Sequence, residues 1–224
     1  MERLGMRVAV LLSLTTVYGD VRIGNDELAD LVRRHPGHLA GLVTFDPRRS
    51  LLPEQVMQRG RDAGLCGLAL FPMHHGYGLG DDPRVEQALA QAEAWAWPVV
   101  VPIRLVMSWS LPSTSIQSIL RAAGRHPGAR FLIAGSHYGE AEQLLHGMAE
   151  LPNLYVETSC NQGSGALVEM VTRGDPARIM LGTGQPVQTP ECNLVKLSAA
   201  ALEGQTCAAV LHDNAIRFFS LAQY

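Results

Sequence analysis

The chain is short of several things that would assign it quickly. Of its 18 basic residues only Lys196 is a lysine, so it is the only possible Schiff-base lysine. Its four cysteines, Cys66, Cys160, Cys192 and Cys207, are far apart and form no C-x-x-C pair. That argues against a zinc ribbon or a disulfide framework and favours reduced thiols in the cytoplasm. No apolar run approaches the ~18 residues of a membrane span. The run Val8–Leu14 follows an n-region whose charge Glu2 offsets, and no small-residue cleavage site follows, so it reads as a buried strand and not as a signal peptide. There is no G-x-G-x-x-G and no Walker motif, which weakens a nucleotide-binding reading. A net charge of −3 argues against a nucleic-acid partner that relies on a basic surface.

What is present is a regular alternation. The 224 residues, 47% of them hydrophobic, suit a single domain over 1–224. Continuous apolar runs at 7–14, 39–45, 65–71, 98–105, 130–134, 154–158 and 178–181 read as strands buried on both faces of a parallel sheet. Helix-like segments separate them: 25–35, 53–63, 82–96, 115–126, 140–151, 166–173 and 191–203, with a closing helix near 206–221. Asp82-Pro83 places an N-cap before a proline in the first turn, and Gly64, Gly124 and Gly174 mark helix ends. Strands recur at the period of a β/α unit. An α/β fold of (β/α)8 TIM-barrel type, with seven units visible and the first strand missing, is preferred to a doubly wound open sheet. In such a barrel the chemistry belongs to residues just after each strand.

Four phrases carry a resemblance: Phe131-Leu-Ile-Ala134 after His126-Pro127, Leu151–Ser159, Asp175–Pro186 and Asp213–Phe219. In that order they resemble the amidohydrolase-related branch of the amidohydrolase superfamily, which comprises metal-dependent hydrolases and decarboxylases on TIM barrels. Gly41–Pro47 and Asp81–Arg84 agree more loosely. The resemblance implies a divalent metal held by a His-x-His after the first strand, a histidine after each of the fifth and sixth, and an aspartate after the eighth. This chain has no His-x-His, and the three later positions fall on Pro102, Gly135 and Gly184, none with a donor side chain. The resemblance therefore implies a metal-free relative, expected to need no cofactor. It would be a small-molecule-binding protein or a non-catalytic subunit beside an active paralogue. An open barrel seam makes a homo- or hetero-oligomer the expected state. The alternative is a hydrolase of C–N or C–O bonds, or a decarboxylase, with a truncated or relocated site and, if metal-dependent, a cation such as zinc.

Polar residues at the predicted strand ends are the candidates for such a site. His137, two residues past Gly135, could act as a general base. Glu157 and Arg104 could carry the remaining charge, with Arg104 binding an anion or pairing with Glu157. Asp46, His74, Ser159 and Gln185 are expected around a ligand at the mouth. His74 and His75 stand on an expected loop, where neighbours point apart and rarely share a metal. Cys160 reads as a buried apolar residue before it reads as a nucleophile. Trp95, Trp97 and Trp109 flank the fourth visible strand, the first two as packing residues. Lys196 falls on a late helix, expected to lie away from the strand ends.

Overall fold

The computed structural model describes residues 1–106 and 111–221; Trp109 lies outside them. Eight strand segments form: β1 (Ala9–Leu11), β2 (Leu39–Gly41), β3 (Val43–Thr44), β4 (Leu68–Ala69), β5 (Pro98–Pro102), β6 (Arg130–Ala134), β7 (Leu154–Glu157) and β8 (Ile179–Met180). All described pairs are parallel, β1 with β2 and then β3 through β8 in chain order. β2 and β3 are two halves of one expected strand that change partner at Leu42. Leu42 N still donates to Leu11 O, whereas Val43 N donates to Gly67 O. Seven strand positions result, as the apolar runs predict.

The helices are α1 (Leu14–Tyr18), α2 (Val21–Arg34), α3 (Pro53–Asp62), α4 (Pro72–His75), α5 (Pro83–Ala94), α6 (Ile116–Arg125), α7 (Ala141–Glu150), α8 (Ser164–Arg173), α9 (Pro190–Ala199), α10 (Gly204–Ala208) and α11 (Asn214–Phe219). α2 begins four residues before the expected start, because the Asp20 side chain accepts from the N–H groups of Arg22 and Ile23 and caps it there. α5 starts as expected, with Asp82 accepting from Arg84 N. The single expected closing helix is three pieces, with a π-helical turn over Ala209–Asp213 between α10 and α11.

Alternation along the strands sorts side chains into two cores. Val43, Phe45, Val99, Val101, Phe131, Ile133 and Val156 face outward and pack beneath the helices, where the partly buried Trp95 and Trp97 also lie. Ala40, Leu42, Ala69, Phe71, Val100, Leu132 and Met180 face inward, joined by Phe218, Phe219 and Leu221 from the C-terminal end. Arg130, at the start of β6, ties that end down by donating to Arg217 O at 2.8 Å and Ala96 O at 2.9 Å.

The barrel is not closed. No described strand pairs with the outer edge of β1. The outer edge of β8 is covered by non-strand backbone. Thr158 N donates to Met180 O on the β7 side, so alternation turns Ile179 C=O and Leu181 N–H the other way. Leu181 N donates to Val210 O at 2.8 Å, and Ile179 O accepts from Asn214 Nδ2 at 2.6 Å. The π-helical turn and the start of α11 thus satisfy edge groups that an eighth strand would otherwise pair.

Candidate functional site at the barrel mouth

Glu157, the last residue of β7, is buried and faces the barrel mouth. Its Oε1 accepts from Gly135 N at 2.6 Å and Ser159 Oγ at 2.7 Å, and its Oε2 accepts from Ser159 N at 2.7 Å. Gly182 makes room for it, since a Cβ there would sit 1.3 Å from Glu157 Oε2. Gly135 adopts φ +73°, and a Cβ on it would lie 2.2 Å from Arg104 O. Gly182 thus leaves space for the carboxylate, and Gly135 lies close against the Arg104 backbone while its N–H holds Oε1.

Arg104 does not take Glu157 as its partner. Its guanidinium is bidentate to Glu140, at 2.8 and 2.5 Å, and donates to Gly135 O at 2.9 Å. Glu140 is nearer in the chain to the strand end that Arg104 faces, and Glu157 is already engaged by three donors. Burial pushes Glu140 upward, but hydrogen bonds from Arg104 and His137 N, with the Arg104 charge, outweigh this and hold it below the usual glutamate range. The same pair raises Arg104.

His137 caps a short 3-10 turn over Tyr138–Glu140. Its Nδ1 accepts from Gly139 N at 2.9 Å, and its N–H donates to Glu140 Oε2 at 2.9 Å. Of the three expected catalytic residues, Arg104 donates to the Gly135 carbonyl, Glu157 accepts from the Gly135 N–H, and His137 joins them through Glu140.

The other candidates divide. Ser159 belongs to the Glu157 group. Asp46 caps the turn after β3, accepting from Arg48 N at 2.9 Å, and lines a cleft of about 470 Å³ between α2 and α3. His74 and His75 form the end of α4, not a loop, because Pro72 at the first helical position starts a turn that Gly76 ends in the left-handed region. His75 is buried, with Nε2 2.9 Å from Thr16 O. His74 packs edge-on against Tyr18 and Phe71, and burial, with the charge of His75, lowers it. Gln185 is exposed. Three residues on, Gln188 turns inward and donates from Nε2 to Cys160 Sγ at 2.9 Å. Cys160 is buried, and burial followed by the charge of Glu157 pushes its thiol up, which opposes a nucleophilic role.

Lys196 corrects the sequence reading most. It lies on α9, yet its Nζ reaches across to Thr158 O at 2.5 Å and to Asn193 Oδ1 at 2.6 Å. A four-carbon stem spans the gap between a peripheral helix and the end of β7. Asn193, one turn earlier on the same face, signals the arrangement. Burial lowers Lys196 below the ordinary lysine range, against opposing pulls from Glu157, Cys160 and Cys192.

No described helix is long and apolar enough to cross a membrane. Among the described residues no three His, Cys, Asp or Glu side chains come together as a metal-holding group. Pro102 ends β5, and Gly135 and Gly184 sit in left-handed turns. A divalent cation therefore does not fit the described donors of this mouth.

A parallel sheet wound with helices, carrying its polar residues beyond the strand C-termini, defines a protein of TIM-barrel type. The amidohydrolase family model matches residues 2–221, and the chain belongs to that family. None of the curated proteins compared with it matches. Solved structures share the fold at low identity. An uncharacterized TIM-barrel protein from Bordetella bronchiseptica superposes with TM-score 0.76 at 18% identity, covering 100% of this chain and 82% of the other. The 2,6-dihydroxybenzoate decarboxylase from Rhizobium gives 0.74 at 16%, covering 99% and 86%. The 5-carboxyvanillate decarboxylase from Novosphingobium aromaticivorans, complexed with manganese and a nitrobenzoic acid, gives 0.73 at 16%, covering 98% and 80%.

Proposed function

We propose that this protein is an enzyme of the decarboxylase and hydrolase class, acting on a small organic acid at the barrel mouth. The full-length family match and the decarboxylases among its structural relatives support this reading over a non-catalytic one. The observation that carries it is the pairing of a fixed carboxylate with a reachable amine. Glu157 is held by three donors, and Lys196 Nζ lies on the carbonyl of the next residue. Acid–base work needs such groups on rigid elements. Lys196 is the reacting group, Glu157 and Ser159 position the substrate side of the mouth, and the Arg104–Glu140 pair with His137 forms its wall.

A second reading has its own support. Pro102, Gly135 and Gly184 offer no side-chain donor, which favours a metal-free binding protein. It would be cytoplasmic and assembled with copies of itself or with an active paralogue.

Release of carbon dioxide from hydroxybenzoates and 3-oxo acids, measured with chelator and again with added manganese, separates these readings. Turnover that survives chelation supports the side-chain route, and turnover only with manganese supports a metal route. Calorimetric binding of the acids without turnover in either condition overturns the enzyme reading.

A further inference from the structure

Lys196 is unusual for a surface-helix lysine. Its partners within hydrogen-bond reach are two neutral oxygens, those of Thr158 and Asn193. No described carboxylate lies within ion-pair distance of it, and Arg104, the other cation near Glu157, is bound to Glu140. Lys196 as a whole is half-buried. A desolvated amine without a counter-ion is the form in which a lysine attacks carbonyl groups.

Decarboxylation needs a place for the electron pair that the departing carboxylate leaves behind. Relatives with manganese have a cation available; the described donors of this mouth do not fit one. An iminium nitrogen serves the same purpose.

We propose that Lys196 is a Schiff-base lysine and that the substrate class is a 3-oxo acid, an inference that rests on the mouth being the reacting site. The neutral Nζ attacks the ketone carbon, and the carbinolamine loses water to give the iminium. The bond between the α-carbon and the carboxylate then breaks, carbon dioxide departs, and the pair moves into an enamine. A solvent proton adds to the α-carbon. Water hydrolyses the iminium, returning the ketone and the free amine. Overall, one 3-oxo carboxylate and one proton become one ketone and one carbon dioxide, with no external oxidant or reductant.

The composition makes the test clean, because the chain's only other amine is that of Met1. The full-length protein is incubated with acetoacetate and sodium borohydride, and the modified peptide is located by mass spectrometry. Native protein is expected to be reduced onto Lys196 faster at pH 7 than urea-unfolded protein, because burial lowers the amine in the folded state. Equal rates in the two states, or an adduct confined to Met1, overturns the proposal. Lys196→Arg, which keeps the cation but not the nucleophile, should abolish the adduct. An adduct at Lys196 without carbon dioxide release upholds the amine and overturns the decarboxylase reading. Carbon dioxide release with no adduct does the reverse.

Discussion

Gly182→Ala is the sharpest perturbation of the mouth, because it adds one methyl group and removes no interaction directly. The new Cβ would lie 1.3 Å from Glu157 Oε2, 2.5 Å from Glu157 Cδ and 3.1 Å from Ser159 N. Restoring an ordinary separation near 3.5 Å requires the carboxyl group to move by roughly 2 Å. Glu157 would then lose most of its bonds to Gly135 N, Ser159 N and Ser159 Oγ, each about 1.5–3 kcal/mol when the acceptor is charged. Loss of two gives a destabilisation of ~3 kcal/mol, or ~6–12 °C in Tm for a chain of this length. Calorimetric or circular-dichroism melts of Gly182→Ala, Glu157→Ala and the double variant form the assay. With Glu157 already shortened, Gly182→Ala should cost under about 0.5 kcal/mol, so the cycle should report strong coupling. Additive effects, or a Gly182→Ala melt unchanged from the parent, would refute the claim that this glycine exists to seat Glu157.

Three further outcomes are expected. Glu140→Gln should destabilise by about 2 kcal/mol at neutral pH by breaking the charged pair with Arg104. Because folding lowers the Glu140 pKa, that contribution is fully present above its ordinary value of 4.5 and is lost as the pH falls through the lowered folded-state value, so the two melting curves should draw together in acid. Phe218→Ala should cost ~3–5 kcal/mol, the range for an aromatic deleted from a packed core, read by denaturant midpoint at unchanged slope. Asn214→Ala should cost ~1–3 kcal/mol by leaving the carbonyls of Ile179 and Pro176 without their donor, and amide exchange should rise first along β8.

Much of the sheet was legible because parallel strands bury both faces and so appear as unbroken apolar runs, as β5 does over Pro98–Pro102. The family was legible from phrases at strand ends in the second half. Other features depend on distances in space. A strand that changes partner at Leu42 looks like any other apolar run. The start of α2 depended on Asp20 serving as cap, and α4 on a proline and a glycine only four residues apart. Lys196 was misplaced because a helix position gives the location of a Cα, whereas a lysine amine can act well away from it. Arg104 found Glu140 and not Glu157 because the rival acceptor was already filled by Gly135 and Ser159, an arrangement that no spacing rule encodes.

The C-terminal end that covers β8 and fills the barrel has a kinetic consequence. Phe218 and Phe219 share the inner core with Val8 and Val10, so that core joins segments far apart in the sequence. Such contacts form late, because a long loop must close before they contribute. Strands β3 to β7 can assemble from neighbours alone, but the inner core stays open to water until residues 209–221 dock. The slow step in refolding should therefore be this docking, and a half-built sheet with an uncovered β8 edge is the species most exposed to aggregation.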